Sequence, residues 1–431
     1  MRLKNKLIFA IASVSPALLA AAPSDTDTVH AGWNILHAPY TLSSPVDGFT
    51  FEWQYFMVHD RAGSFTGSIG FVLADPKGRL GKPSDDGAIV PSEIPPLPFS
   101  VMPSGASVAI AGKWADGSWL SNYERLQNNP IIETDGKGFQ AKDDKQGFFA
   151  ALNELEKVTP AGGVFELKGK TKDAAWDLRI TPEWTERATD SAGVPFGPIT
   201  GYDMGLLPGE KWTVHMQWPR THVEGTITNL KTGQTVDVSG HGYRENSWGR
   251  WNFAVDGWAF SVVSDAEHKV QWAWQSYHKS KSVDWLDVSF EDQGQLVKRR
   301  LFAGAGELRW RMSDWKFSSE ARQCVPNRVE VTGEDKDYRI KASYDLSTNQ
   351  IPMLSSATPL TKIFVIMIHT PYIRGTIENA KTGELITSFE GQGGGEFSTM
   401  RSVRGAINEQ GCARWGERFN REYEERSNSA N

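Results

Sequence analysis

Gly225-Thr226-Ile227-Thr228-Asn229-Leu230-Lys231-Thr232-Gly233 returns 150 residues further on as Gly375-Thr376-Ile377-Glu378-Asn379-Ala380-Lys381-Thr382-Gly383, with seven of nine positions identical. Self-similarity of this kind marks a duplicated structural unit. Each copy reads as a strand running into a Lys-Thr-Gly turn that closes a hairpin. Apolar segments precede both copies, Trp212 to Trp218 and Ile363 to His369. Glycine-rich strands follow both, Ser239-Gly240-His241-Gly242-Tyr243-Arg244-Glu245 and Glu390-Gly391-Gln392-Gly393-Gly394-Gly395-Glu396. The chain therefore reads as two related β units, the second lacking the His and Tyr of the first.

The surrounding sequence agrees with that reading. Phe51 to His59 alternates, setting Phe51, Trp53, Tyr55, Met57 and His59 on one face of a strand. Trp258 to Val263 begins the second unit as Trp53 to Val58 begins the first. Gln271 to His278 alternates as well, with Trp272, Trp274, Ser276 and His278 on one face and Tyr277 among its neighbours. Ser68 to Ala74 forms a hairpin with the first strand; Gly163 to Lys170 pairs with Ala174 to Pro182, and Asp284 to Phe290 with Leu296 to Phe302. Asp75 to Gly105 and Glu186 to Gly209 are long Pro- and Gly-rich loops, and such loops often cover sites. Gln146 to Lys157 is the one segment with a clear helical reading, and the charged tail from Glu417 to Asn431 reads as a solvated end. The fold class is thus all-β, with two tandem antiparallel barrel or sandwich domains and few short helices.

Met1 to Ala22 has a basic start (Arg2, Lys4, Lys6), an apolar run from Leu7 to Leu19 and a small-residue end, the layout of a secretory signal peptide. That divides the chain into a signal peptide at 1–22, an N-terminal β domain at 23–250 and a C-terminal one at 251–431. Removing the leader takes the formal net charge from −6 to −9, which gives no reason to seek nucleic acid or an anionic membrane. Ile363 to Ile368, six residues, is too short to cross a bilayer that needs about 20 in a helix. The expected setting is a secreted protein with no stable membrane insertion. Cys324 and Cys412 are free to pair in an oxidising compartment, and sequence leaves their geometry and the oligomeric state open.

Chemistry concentrates at Gly240 to Phe253, where acid, base, amide and two indoles crowd together. Strand alternation sets Asp237, His241, Tyr243 and Glu245 on one face. Glu245, Tyr243, His241, Asn246 and His278 are the candidate catalytic residues. Trp53, Tyr55, Trp248, Trp251, Trp272, Trp274 and Tyr277 are the candidate lining. A structural reading stands beside this one: glycines marking a bulge, and indoles packed simply as core. Sequence provides no helix with paired zinc histidines, no nucleophile elbow, no phosphate loop and no dinucleotide fingerprint, so no metal or cofactor is expected. A carboxyl such as Glu245, desolvated among indoles, holds its proton and acts as a general acid near neutral pH.

Gly240 to Gly249 resembles the G-x-G-Y-x-D/E-x-x-W-G motif of the lipocalin-like superfamily that includes carotenoid 1,2-hydratases, kievitone hydratase, tocopherol-cyclase relatives and fungal Diels-Alderases. Glu52-Trp53-Gln54-Tyr55-Phe56 resembles the E-W-x-Y-F opening of the same families. The resemblance implies two packed calycin-like barrels with an apolar ligand in or between them, and carries the acid to Glu245, the tyrosine to Tyr243, the amide to Asn246 and the indole to Trp248. This chain departs by having Glu where the hydratases favour Asp, with Arg244 before it. The expectation is a cofactor-free cyclase of Diels-Alder or hetero-Diels-Alder type acting on an apolar terpenoid or polyketide small molecule. A hydratase or dehydratase of a prenyl or polyene chain, and a non-catalytic carrier of an apolar ligand, are the alternatives.

Overall fold

The computed structural model describes residues 50–75, 88–89, 105–125, 131–134, 138–142, 147–153, 164–183, 199–203, 211–250, 258–265, 267, 270–277, 284–319, 321, 323–347, 350–353, 364–400 and 409–429. The segment expected as a leader, 1–22, and most of the two segments expected as long loops lie outside them. The N-terminal sheet holds β1 (Thr50–Asp60), β2 (Phe65–Asp75), β3 (Ala88–Ile89), β4 (Gly105–Trp114), β5 (Trp119–Arg125), β6 (Ile131–Thr134), β7 (Gly138–Lys142), β8 (Gly147–Asn153), β9 (Val164–Lys170), β10 (Ala174–Pro182), β11 (Ile199–Asp203), β12 (Lys211–Asn229) and β13 (Thr235–Arg250). The C-terminal sheet holds β14 (Trp258–Asp265), β15 (Val270–Tyr277), β16 (Trp285–Asp292), β17 (Gln295–Phe302), β18 (Leu308–Ser318), β19 (Gln323–Glu334), β20 (Tyr338–Asp345), β21 (Gln350–Met353), β22 (Phe364–His369), β23 (Tyr372–Asn379) and β24 (Leu385–Met400), and is followed by the helix α1 (Glu409–Ser429).

The first sheet runs β3-β6-β7-β8-β9-β10-β12-β13-β1-β2-β4-β5, with β11 added to β12. The second runs β17-β16-β15-β14-β24-β23-β20-β19-β18, with β22 joining β24 and β21 joining β22. Both are antiparallel and curled into half-barrels, so the fold is all-β with two domains. The duplication is visible strand by strand: β13 pairs with β12 and β1, and β24 pairs with β23 and β14.

What positions the site is that β1 and β14 bury both faces. Phe56 and Val58 of β1 join the N-terminal core with Ile69, Phe71, Val108 and Ile110. The alternate residues turn toward the other sheet, where the Tyr55 ring meets Phe260 edge-on at 5.9 Å. In β14, Ala259 and Val263 join the C-terminal core with Trp272 and Trp274, while Phe260 faces back at Tyr55 and at Tyr243, 6.1 Å away. Gly394 of β24 is the close-approach point, since a Cβ there would fall 2.0 Å from Cε of Met57. Each edge-on ring pair contributes about 0.5–1.5 kcal/mol beyond its buried area. Polar contacts complete the junction: Ser264 Oγ donates to the Gly242 carbonyl at 3.4 Å and Arg220 Nη1 to the Asp265 carbonyl at 2.5 Å.

Three expectations are corrected. The segments expected as loops, Asp75 to Gly105 and Glu186 to Gly209, carry the short strands β3 and β11, which pair with β6 and β12. The segment expected as a helix from Gln146 holds the strand β8, laddered to β7 through Ala151 and Gly138 and to β9 through Gly147 and Lys170. Its run Phe148-Phe149-Ala150-Ala151-Leu152 satisfies either period, and two flanking strands that satisfy its backbone groups decide the outcome. The expected solvated tail belongs to α1, a helix of 21 residues. Cys412, Trp415 and Phe419 recur at helical spacing on one face. Cys412 is bonded to Cys324, Trp415 and Phe419 lie 4.9 and 5.3 Å from the Trp315 ring, and Asn420 Nδ2 donates to the Met312 carbonyl at 2.6 Å.

Candidate active site

β13 carries His241, Tyr243, Glu245 and Ser247 at alternate positions, in register with His59, Met57, Tyr55 and Trp53 of β1. Residues directly opposite in an antiparallel ladder share a face, so Tyr55, Met57, His59, His241, Tyr243, Glu245 and Ser247 belong to the face turned toward the C-terminal sheet. Tyr243 donates its hydroxyl to Glu245 Oε2 at 2.7 Å, and Ser247 donates to Oε1 at 3.1 Å. Glu245 keeps partial accessibility while Tyr55, Tyr243 and Ser247 around it are buried. The residue is thus not wholly enclosed, while its carboxyl is desolvated.

Burial pushes the Glu245 carboxyl up to about 7, against the lowering effect of the Tyr243 and Ser247 hydroxyls. Burial, with the charge of Glu245 added, raises Tyr243 well above its usual value, so it stays a neutral donor. Tyr55 is likewise raised, by burial first and then by the charge of Glu396. Glu396 enters the site from β24, taking a hydrogen bond from Trp258 Nε1 at 2.9 Å. Burial, reinforced by the charge of Glu245, lifts its carboxyl to about 7 as well.

Of the other candidates, His241, Trp272 and Trp274 lie away from Glu245. His241 is four residues from Glu245 along the strand, about 13 Å by strand rise. Its Nδ1 lies 2.9 Å from Glu183 Oε1, and Arg61 Nη2 lies 3.3 Å from its Nε2. Glu183 is also paired with Arg220. Burial raises Glu183, but the hydrogen bond from His241 and the charge of Arg220 outweigh it, holding the carboxyl below its usual value. Trp272 and Trp274 occupy the opposite face of β15 from Gln275, which is in register with Phe260; they pack at 6.3 Å on Tyr344 and 5.8 Å on Trp310 inside the C-terminal core. Asn246 and Trp248 hold the alternate positions of β13, in register with Gln54 and Glu52, and Tyr277 is in register with Trp258. Trp251 and His278 lie outside the described residues.

Sequence reasoning missed Glu396, Trp258, Phe260 and Ser247. The signal for Glu396 was present, because laying Glu390–Glu396 on Ser239–Glu245 sets it under Glu245. Chemically, a carboxyl raised to about 7 can hold a proton near neutral pH, and the two hydroxyl donors steady the carboxylate once that proton leaves. Among the described residues, no group of three or more His, Cys, Asp or Glu is arranged to hold a metal ion.

Three solved structures resemble this chain. A candidate AttH of Nitrosomonas europaea has 12% identity over 82% of this chain and 93% of its own, with a TM-score of 0.47. CghA with Sch210972 has 10% identity over 83% and 90%, with a TM-score of 0.48. Kievitone hydratase from Nectria haematococca, one of the proteins whose motif Gly240–Gly249 resembles, has 10% identity over 82% and 89%, with a TM-score of 0.45. No family model and no curated protein matches the chain.

Proposed function

We propose that this is an exported enzyme that uses Glu245 as a general acid on an apolar terpenoid or polyketide substrate, as a cyclase of Diels-Alder or hetero-Diels-Alder type. The observation that carries the reading is a carboxyl raised to about 7 by burial and held by the hydroxyls of Tyr243 and Ser247 on the face where the two sheets meet. In the hetero version Glu245 protonates a departing hydroxyl, a quinone methide forms as water leaves, and the aromatic walls hold diene and alkene in register. Orientation of two reactants supplies up to about 7–11 kcal/mol of a barrier, whereas one aimed donor supplies about 3–4 kcal/mol. Orientation therefore carries the larger share.

A hydratase or dehydratase is the second reading, favoured by a carboxyl that exchanges its proton near neutrality. The test is mass spectrometry of the purified protein incubated with pooled terpenoid and polyketide extracts, against a heat-killed control. A product equal to two inputs joined, or joined less water, supports the cyclase; a gain or loss of one water, with solvent deuterium at one carbon, supports the hydratase. Glu245→Gln is expected to slow either reaction. Ligand recovered unchanged, or full activity in that variant, overturns the acid role.

A further inference from the structure

We propose that Glu396 is the second acid of this site, forming with Glu245 a carboxyl pair that spans the junction of the two sheets. This rests on the acid role proposed above for Glu245 and extends it to the elimination of water.

The two glutamates occupy equivalent positions of the duplication. Glu245 lies opposite Tyr55 of β1 and Glu396 opposite Phe260 of β14, and those two rings meet at 5.9 Å. The corner before each is built alike: Asp60 accepts the Ser239 N–H at 3.0 Å and Asp265 accepts the Glu390 N–H at 2.8 Å. Their immediate partners differ. Glu245 receives two hydroxyls, while Glu396 receives one indole N–H on Oε2, and its Oε1 has no hydrogen-bond partner among the described residues. A buried carboxyl with one open oxygen is placed to take up a proton rather than to brace a fold.

Both carboxyls are lifted to about 7, burial being the first cause in each, and the charge of Glu245 further opposes ionisation of Glu396. Interacting acids of this kind titrate as a pair, in two steps. Besides Glu245, the groups facing Glu396 are Tyr55 and the Trp258 indole, while Tyr243 faces Glu245, with Asp287 beyond it. His369 of β22 meets the backbone of Glu396 and is held down to about 3 by burial, hence neutral.

The substrate this pair suits is an ortho-hydroxybenzyl alcohol, which has one proton to lose and one oxygen to protonate. The ionised carboxyl takes the phenolic proton, the O–H electron pair forms the carbonyl, the ring shifts to an exocyclic double bond, and the benzylic C–O bond breaks. The protonated carboxyl gives its proton to the departing oxygen, so the products are a quinone methide and water. The pair has exchanged which member holds the proton, and passing it back restores the start.

The test uses the full chain carrying δ-13C-labelled glutamate, titrated by NMR, with 2-(hydroxymethyl)phenol and an enol ether trap as the activity probe. Wild type is expected to show two coupled carboxyl titrations around pH 7. Glu396→Gln is expected to move the Glu245 titration down by on the order of one unit and to slow trapped-adduct formation about 100-fold, with Glu396→Asp recovering part of the rate. Trp258→Phe, which keeps the carboxyl, is expected to raise the titration of Glu396 and lower that of Glu245, and it serves if the Gln variant does not fold. A Glu245 titration unmoved in these variants overturns the pair. Adduct formation lost in Glu245→Gln but untouched in Glu396→Gln overturns the role of Glu396 and leaves the proposed function standing. Coupled titrations with no adduct from wild type overturn the elimination chemistry and leave the pair.

Discussion

Tyr243 donates its hydroxyl to Glu245 Oε2 across 2.7 Å from the same face of β13, two positions away. The bond favours the ionised carboxyl, so it works against the burial that raises Glu245 to about 7. Tyr243→Phe removes that donor and leaves the ring. Glu245 is then expected to keep its proton to higher pH. A general acid is active while protonated, so the alkaline fall of the pH-rate profile moves upward, by less than one unit. Turnover drops about tenfold, because the carboxylate left after proton transfer has lost a donor worth about 1.5–3 kcal/mol at most. A profile that stays in place detaches Tyr243 from the acid.

Glu245→Gln is expected to stabilise the fold at alkaline pH. The folded carboxyl titrates near 7, above its unfolded value of 4.5, so its contribution is fully present below 4.5 and is lost as pH rises through 7. At pH 8 the wild-type chain bears an ionised, desolvated carboxylate that glutamine does not. The difference approaches about 3 kcal/mol before discounting for the partial accessibility of Glu245. Thermal melts of both proteins at pH 5 and pH 8 check this: the gap in melting temperature should open toward pH 8. A gap of one size at both values contradicts the raised carboxyl. Loss of activity with gain of stability is the pattern of a residue kept for chemistry.

The duplicated turn was legible because its physics is local. Asn229 Oδ1 accepts the N–H groups of Lys231 and Thr232 at 3.0 and 3.3 Å, Asn379 repeats this with Lys381 and Thr382 at 2.9 and 3.1 Å, and Gly233 and Gly383 supply φ of 76° and 73°. Alternation also identified which residues of β13 share a face, since side-chain period in a strand is fixed. It did not say what a face packs against. Trp272 and Trp274 alternate as cleanly as Tyr243 and Glu245, yet their face closes the C-terminal core. Nor does period decide a short apolar run, which is why Gln146 to Lys157, the segment that holds β8, read as helix. Glu396 required laying one repeat on the other and asking what was retained as well as what was lost.

Arg220 ties the two sheets together. It is buried, ion-paired with Glu183, and donates Nη1 to the Asp265 carbonyl at the end of β14. Arg220→Gln breaks the ion pair, strands a half-buried Glu183 beside His241 and removes the charged donor from that carbonyl. A loss of about 2–4 kcal/mol is expected, the range for one partner taken from a buried pair. Hydrogen exchange should rise first at Glu390 and Glu267, whose N–H groups Asp265 holds at 2.8 Å each. Uniform protection in the variant would show that the sheets stay docked without this residue.

Cys324 and Cys412 are bonded to each other, both buried, across 88 residues of sequence. Closing so long a loop removes more denatured-state freedom than closing a short one, and bonds of this kind are worth typically about 2–4 kcal/mol. The bond joins β19 to α1, whose other attachments include aromatic packing on Trp315 and Trp310 and the Asn420 contacts with Met312. Cys412→Ser is expected to lower the melting temperature by about 5–10 °C and to release exchange protection through α1 before the strands open. Wild type should resist dithiothreitol while folded, because the sulfurs are reached only on opening, and should melt like the variant once reduced. Equal melting of oxidised and reduced wild type would mean that packing of Trp415 and Phe419 alone holds the helix, and that the bond adds nothing to it.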